Sequence, residues 1–424
     1  VSNLLCGTTL EDRAGNFAGR SVLIAARDQL AAALALVELD GVAGRLIVCP
    51  PGLHPNNLPT VIAKGGVDAI VSDAESPAHC TLEIPTRATC RFKIQPGGGE
   101  PPGGCHTEWV LLTSGTSGAP KMIVHALESL TSAIGSRQDS GVVWGTFYDI
   151  RRYGGLQVLL RALLGQASFV LSGPEETIGD YLLRLGQHGV THISGTPSHW
   201  RLVLMSPHAR AIAPRYIRLS GEIVDQGILN ALKAFYPQAA IGHVFASTEA
   251  GVGLEVTDGL EGFPASMVGA WGGREIRVDN DVLRIRSAGC ASRVLGGENG
   301  WLDADGFVDT GDLVELRGGR YYFLGRRNGV INVGGLKVYP EEIEAVINRH
   351  PAVLMSRVRA RRNSITGSLV VAEIVLDPDR TNQSDSVLQR CRESLAAHKV
   401  PAVVHWVPAL EVTAAGKLGR TPYE

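Results

Sequence analysis

Short apolar runs of strand length recur along this chain with helix-period segments between them, and that alternation constrains the fold more than any other feature. SVLIAA (Ser21 to Ala26) and RLIVCP (Arg45 to Pro50) are two such runs, and between them Leu30, Ala33, Leu34 and Val37 recur at helical spacing. VDAIVSDA (Val67 to Ala74) repeats the pattern, and WVLLTSG (Trp109 to Gly115) runs from a strand into a glycine turn. Farther on, YLLRLGQHGVTHISGTP (Tyr181 to Pro197) reads as helix, turn and strand. ILNALKAFYP (Ile228 to Pro237) reads as an amphipathic helix stopped by its proline, and AIGHVFASTEAG (Ala240 to Gly251) as a strand with a polar exit. From about Gly269 the pattern turns to β with close turns (REIRV, VLRIRS, RYYFLGR). A separate unit begins after Arg326. PEEIEAVINRHP (Pro340 to Pro351) predicts a helix with Pro in its first turn and Glu341 and Glu342 suited to the N-terminal dipole. Strands at VLMSRVRA and SLVVAEIVL, a helix near Val387 to Ala397 and a strand at VVHWV complete a compact α+β tail. The fold class is α/β, with mixed sheets flanked by helices and a β-rich stretch before that tail.

Composition removes several classes of function. Hydrophobic residues at 44% and charged residues at 19% exclude a disordered chain or a coiled coil. Forty Lys and Arg against 42 Asp and Glu leave a net charge of −2, so neither nucleic acid nor an anionic membrane is expected as the main partner. The 7 cysteines are odd in number, scattered and without a C-x-x-C pair, which argues against a disulfide framework or zinc site and for a reducing cytoplasm. No apolar run approaches the ~18 residues of a membrane span. No basic region precedes a hydrophobic stretch at the start, so no signal peptide is expected. With 51 glycines in 424 residues, well above the usual ~7%, the chain should be rich in tight turns or backbone-lined binding loops.

Five segments could carry chemistry. In LLTSGTSGAPKMIVHA (Leu111 to Ala126), Thr113, Ser114, Thr116 and Ser117 alternate with Gly115 and Gly118, and the run ends in Pro120-Lys121. Glycines let backbone N–H groups approach an anion, hydroxyls add donors and lysine adds charge, as a polyphosphate requires. It is not the G-x-x-x-x-G-K-[ST] loop, because no glycine precedes Lys121 and Met122 follows it. A solvated Ser/Gly turn is the plain alternative. HVFASTEAG (His243 to Gly251) places Thr248-Glu249 in a turn. DADGFVDTGDLVEL (Asp303 to Leu316) contains Thr310-Gly311-Asp312. FLGRRNGVINVGGLKVYPEEIE (Phe323 to Glu344) and TAAGKLGR (Thr413 to Arg420) follow. Alone, Asp312 reads as a turn-forming Asp and Lys417 as a surface lysine.

In this order and spacing the segments resemble the adenylate-forming (AMP-binding) superfamily of acyl-CoA and aryl-CoA synthetases, peptide-synthetase adenylation domains and luciferase. The resemblance runs from about Thr107 to Arg420. The first ~105 residues resemble the family's N-terminal region only loosely, and their shortness and the trailing His125 are similar to the compact o-succinylbenzoyl-CoA synthetase type. The resemblance implies a large N-terminal domain, residues 1–325, and a small mobile C-terminal lid, residues 326–424, hinged near Asn328. It implies ATP, Mg2+ and CoA or a holo-carrier protein as cofactors or acceptors, and a small carboxylic acid as substrate. Thr113, Ser114, Gly115, Thr116, Ser117, Gly118 and Lys121 would embrace the β- and γ-phosphates. Phe245 would stack on adenine, with Gly221, Glu222 and Ile223 on its other side. Thr248 would touch the α-phosphate and Glu249 would hold Mg2+. Asp312 would accept the ribose hydroxyls, with Arg326 as a second ribose contact. Gly335, and beside it Lys337, would lie by the pantetheine tunnel. Lys417 would bridge carboxylate and α-phosphate in the first step and obstruct the second, so the lid must rotate between them.

The chain departs from that pattern in places. Met122 stands where a glycine is usual, Phe245-Ala246 where Tyr-Gly is usual, and neutral Asn328 at the hinge. In WGTFYDIRRYGGLQ (Trp144 to Gln157), Arg151 and Arg152 occupy the vicinity of an aromatic-His pair beside the acyl pocket. They read either as guanidiniums recognising an anionic group of substrate or CoA, or as a pair facing solvent or Asp149. His199, in THISGTPSHW, reads either as a substrate contact or as packing. The run RVRARR (Arg357 to Arg362) reads as a solvated strand edge or as a surface for CoA phosphate or an acidic carrier. A non-catalytic nucleotide-binding relative is the alternative of another class, and a luciferase-like oxygenase a third. A small or aryl acid is the favoured substrate, and a homodimer the default oligomer.

Overall fold

A strand buried on both faces needs apolar side chains at consecutive positions, and SVLI supplies them: Val22, Leu23 and Ile24 are all fully buried. In the computed structural model, which describes residues 7–10, 14–73, 84, 86–96, 104–113, 120–135, 141–297 and 301–420, this strand lies inside an eight-stranded sheet. Its order is Gly7–Leu10, Thr86–Pro96, Ala69–Ser72, Ser21–Ile24, Arg45–Val48, Glu108–Thr113, Lys121–His125 and Arg293–Val294. The central pairs are parallel, and the outer pairs at both ends are antiparallel. Helix Gln29–Leu39 starts where the Asp28 carboxylate accepts the Leu30 and Ala31 N–H groups. It packs through Ala31, Ala32, Ala35, Leu36 and Leu39 into the apolar core of that sheet.

The chain divides into two compact units, one within residues 1–177, 246–252 and 287–308, the other within 178–245, 253–286 and 309–424. The sheet above belongs to the first. The second carries parallel strands His192–Gly195, Tyr216–Ser220 and Ala240–Ser247, in register from His192 opposite Tyr216 and from Tyr216 opposite Ala240. Helices Pro197–Met205 and Gln226–Phe235 follow the first two of these strands. The β-rich stretch forms a six-stranded sheet in the order Phe263–Pro264, Arg320–Arg326, Val308–Arg317, Val282–Ser287, Arg274–Asp279, Gly269–Trp271.

The C-terminal α+β module follows the sequence closely. Helix Pro340–Asn348 buries Ile343 and Ile347 against the three-stranded sheet Val353–Asn363, Gly367–Leu376, Val403–Trp406. The basic run lies on the edge strand of that sheet, where Arg357 and Arg359 both bond Glu373 across the hairpin, each at 2.7 Å. Two of its four arginines thus share one carboxylate, which offsets one of the four positive charges.

Among the described residues, no helix is long and apolar enough to cross a membrane.

Candidate functional site

In the first unit the antiparallel hairpin of Glu108–Thr113 and Lys121–His125 sets Thr113 directly opposite Lys121. The pairing fixes both ends of the glycine-hydroxyl loop. Ser114, Gly115, Thr116, Ser117 and Gly118 themselves lie outside the described residues. Met122 is buried in the hairpin's apolar face, so the departure from glycine there is a packing choice.

The same hairpin reaches the Thr248-Glu249 turn through its last residue. His125 is buried, its Nε2 lies 2.7 Å from the Thr248 carbonyl oxygen, and its Nδ1 lies 3.0 Å from the Ser129 hydroxyl. Burial pushes the imidazole down to about 4, outweighing the bond to Thr248, so the ring is neutral near pH 7. Nε2 is then the donor to the carbonyl. The Ala250 N–H donates to Ser247 Oγ and the Ala291 N–H to the Glu249 carbonyl, which completes the turn. Thr248 and Glu249 are half-buried in that turn. The sequence singled out His125 only as a family trait; its hold on the turn comes from a contact 123 positions away.

Arg151 is buried, and its guanidinium is engaged. Nε and Nη2 bond the two Asp149 oxygens at 2.8 and 2.5 Å, while Nη1 donates to the Ala26 and Arg27 carbonyls at 2.6 and 2.9 Å. Of the two readings the sequence left open, the Asp149 pairing is the contact present. Arg152 donates to the Pro51 carbonyl at 2.8 Å. Burial, with Arg151 beside it, lowers its pKa.

In the second unit, Asp312 and Arg326 are direct cross-strand partners in the Val308–Arg317/Arg320–Arg326 hairpin. Thr310, Gly311 and Asp312 lie within strand Val308–Arg317, where side chains pin the backbone: the Gly311 N–H donates to Asp309 and the Asp312 N–H to the Thr310 hydroxyl. Gly311, at φ +70, puts a left-handed backbone conformation inside that strand, which glycine takes without a Cβ penalty. Asp312 Oδ1 lies 3.4 Å from Arg326 Nε, and the arginine side chain is 63% exposed against 9% for the aspartate. Asp312 Oδ2 is buried without a hydrogen-bond partner. Desolvation raises the carboxyl's pKa, opposed by the charges of Arg326 and Lys417. Phe245 stacks on Phe323, with ring centroids 5.4 Å apart and planes within 5°. The sequence had no signal for that second ring.

Gly221, at φ +87, turns the chain after Tyr216–Ser220 and delivers Glu222. The Glu222 carboxylate joins two segments: Oε2 accepts the Ser198 N–H at 2.9 Å and Oε1 the Leu418 N–H at 3.0 Å. His199 lies in the helix start beside it, its Nδ1 accepting the Thr196 N–H at 3.3 Å. The neighbouring Arg420 is held by Glu344 through two bonds of 2.8 Å. Asn328 is exposed in the turn Arg327–Gly329. Gly335 donates to Asn332 at the tip of the Ile331–Val333/Leu336–Val338 hairpin, where Lys337 is exposed.

The Asp312 carboxylate, with one oxygen lacking a donor, suits a ligand that donates. An oxygen withdrawn from water and left without a donor costs about 1–3 kcal/mol, more when charged, unless a bound molecule supplies one. Vicinal ribose hydroxyls are donors of that kind. Glu249 presents one carboxylate, and among the described residues no cluster of three or more His, Cys, Asp or Glu forms. One carboxylate completed by phosphate oxygens is a donor set that fits Mg2+.

A family model described as AMP-binding enzyme matches residues 11–288, and one described as AMP-binding enzyme C-terminal domain matches residues 342–417. The chain is 25% identical over 411 residues to a 2-succinylbenzoate-CoA ligase of Bacillus velezensis, covering 91% of this chain and 78% of the relative. It is 24% identical over 352 residues to the human mitochondrial acyl-coenzyme A synthetase ACSM2A, with 73% of this chain and 59% of that protein covered. The crystal structure of the anthranilate CoA ligase AuaEII in complex with anthranoyl-AMP superposes with a TM-score of 0.78 at 18% identity, covering 96% of this chain and 88% of that one.

Proposed function

The chain belongs to the AMP-binding enzyme family, and from that premise we propose that it is an acid-thiol ligase that activates a small carboxylic acid with ATP and transfers the acyl group to CoA. The observation that carries this reading is the buried, half-satisfied Asp312 carboxylate, opposite Arg326 and within the field of Lys417. In the first step a carboxylate oxygen attacks the α-phosphorus of ATP and pyrophosphate leaves. In the second a thiol attacks the acyl carbon and AMP leaves.

The residues take roles that their chemistry allows. The Thr113–Lys121 segment receives the β- and γ-phosphates. Asp312 and Arg326 hold the ribose, and Phe245, backed by Phe323, faces the adenine. Thr248 meets the α-phosphate from the turn that His125 fixes. Glu249 holds Mg2+, which when bound offsets phosphate charge. The Lys417 ammonium neutralises charge that builds on the α-phosphoryl oxygens. A lid from residue 326 onward, turning at Asn328, withdraws Lys417 before the thiol enters.

The test is exchange of labelled pyrophosphate into ATP across a panel: 2-succinylbenzoate, anthranilate, benzoate, butanoate and hexanoate. Exchange that depends on one of these acids supports the reading, and Lys417→Ala should lower it by about 10²–10³-fold. Exchange with no acid would point to a nucleotide-binding relative without catalysis. In a single turnover on the acyl-adenylate, release of AMP by CoA identifies the acceptor; release only by a holo-carrier protein would replace CoA with the carrier.

A further inference from the structure

The residues on either side of Lys417 are seated on two segments, the helix start at Thr196 and the carboxylate of Glu222. Gly416 donates its N–H to Thr413 at 2.7 Å, and Thr413 donates to the Lys417 carbonyl at 2.8 Å, which closes a tight turn. The Gly416 carbonyl accepts the Thr196 hydroxyl at 2.5 Å, and the Leu418 N–H donates to Glu222. Glu222 in turn accepts the Ser198 N–H. Thr196, Ser198 and His199 form the start of helix Pro197–Met205, where Thr196 and His199 cap each other reciprocally. Its Oγ accepts the His199 N–H at 3.0 Å while donating its own proton to Gly416.

The fit at Gly416 is steric as well as polar. It has φ +73, and a Cβ there would meet His199 Cε1 at 2.0 Å and Nε2 at 2.7 Å. The imidazole thus lies directly against the glycine that precedes the lysine. Burial pushes His199 down to about 4, so the ring is neutral, and Nδ1 accepts the Thr196 N–H.

We propose that Thr196, His199 and Glu222 are positioning residues that seat the Gly416 turn and so aim the Lys417 ammonium for acid adenylation, while the thiol-transfer step does not use the seat. The proposal rests on the role given to Lys417 above. Neighbouring turns that clamp a backbone on both sides of one residue fix where its side chain starts. A misplacement of about 1 Å at a reacting group costs on the order of 10²-fold. The helix cap is therefore tied to the chemistry through the lysine, and His199 acts without touching substrate.

The experiment measures the two half-reactions apart: pyrophosphate exchange with whichever panel acid exchanges fastest, and CoA-dependent release of AMP from that acid's pre-formed adenylate. Gly416→Ala should lower exchange at least tenfold and leave AMP release within about twofold, which also shows that the variant folds. Thr196→Val, which keeps shape and removes the hydroxyl, should lower exchange by a smaller factor in the same selective way. Because Gly416→Ala and His199→Ala act on one contact, the double variant should fall no further than the worse single variant. Equal losses in both half-reactions, or additive losses in the double variant, overturn the seat. Lys417→Ala separates the two levels of argument. If it keeps full exchange, the role of the lysine fails. If it loses exchange while Gly416→Ala and Thr196→Val keep theirs, the lysine stands and the seat fails.

Discussion

An Asp–Arg pair in each unit can be set side by side, Asp149 with Arg151 in the first and Asp312 with Arg326 in the second, and the two are opposite in state. Asp149 and Arg151 are two positions apart, both largely buried, and the arginine also spends two donors on backbone carbonyls. Asp312 and Arg326 meet only because a hairpin sets them opposite each other, with the arginine mostly in water and one carboxylate oxygen without a donor. The first pair is closed: its charges and donors answer one another, and it ties the loop before helix Tyr153–Leu164 to the end of strand Ser21–Ile24. The second is open, because the fold keeps an acceptor dry and supplies only half of what it needs. A closed pair holds architecture; an open one leaves an acceptor that a donating ligand can fill. The distinction lies in bond counts, since the sequence around both is equally rich in charge.

The largest effect expected from this contrast is at the closed pair. Arg151→Ala leaves the Asp149 carboxylate buried without its guanidinium, so stability should fall by about 3–5 kcal/mol. Urea unfolding measures this, and ATP affinity at a temperature where the variant is folded should be unchanged. Stability within about 0.5 kcal/mol of the parent, with ATP binding lost, would make Arg151 an anion reader and erase the contrast.

Asp312→Ala should do the reverse. Loss of charged hydrogen bonds to a ribose costs about 1.5–3 kcal/mol, or roughly 10–100-fold in ATP affinity by calorimetry. Stability at neutral pH should hold or rise. The sign follows from the raised pKa. A carboxyl whose folded pKa lies above its unfolded value contributes stability that is fully present below the unfolded pKa and is lost as pH rises through the folded one. At pH 7 the buried charge is therefore a burden on the nucleotide-free protein. Asp312→Asn should remove that part of the pH dependence, and a variant that is instead destabilised at pH 7 would class Asp312 with Asp149.

A third, smaller test uses His125, a closed site made from a neutral group. Its folded pKa of about 4 lies below the ordinary imidazole value. The unfolded chain therefore takes up the proton first, and stability is lost as pH falls from about 6.5 through 4. His125→Ala leaves the Thr248 carbonyl without its donor, a cost of about 1–3 kcal/mol. It should also flatten the acid limb of a plot of melting temperature against pH. An unchanged limb would mean that other groups carry it.

What could be read from the sequence divides along similar lines. Apolar runs and capped helices were legible because the signal is local: Asp28 before Gln29–Leu39, or Pro340 with Glu341 and Glu342 at the start of the last module's helix. Strand Thr86–Pro96 went unread although Ala88, Cys90, Phe92 and Ile94 alternate with Thr89, Arg91, Lys93 and Gln95; the residues it buries, Ala88 and Cys90, are small, and Phe92 is 59% exposed. The motif residues of the site were legible by type and order, but their partners were not. Phe323 behind Phe245, His125 behind Thr248 and His199 against Gly416 are all contacts of long sequence separation. The cap at Thr196 was hidden as well, since histidine stands where the usual capping-box signature has Glu or Gln. Arg151 shows the converse failure: two adjacent arginines look like a binding surface until one sees that a carboxylate two residues away and two carbonyls take up the donors of the first.

The smallest effect tests how far the open pair depends on its exposed member. Arg326 is mostly solvated, and its contact with Asp312 is 3.4 Å, so the pair is worth about 0.2–1 kcal/mol rather than the several of a buried one. Arg326→Ala should therefore weaken ATP binding by less than about fivefold, and the difference should shrink in 1 M salt, where the screening length falls to about 3 Å. It should also push the Asp312 carboxyl up further by removing the first of the charges that lower it, so ATP affinity in the variant should decline at a higher pH on acidification. A hundredfold loss that salt leaves untouched would show that Arg326 is shielded and gripping the nucleotide itself. The pair would then be closed by the ligand from both sides rather than half-open, and Asp312 would no longer be the dominant contact of the two.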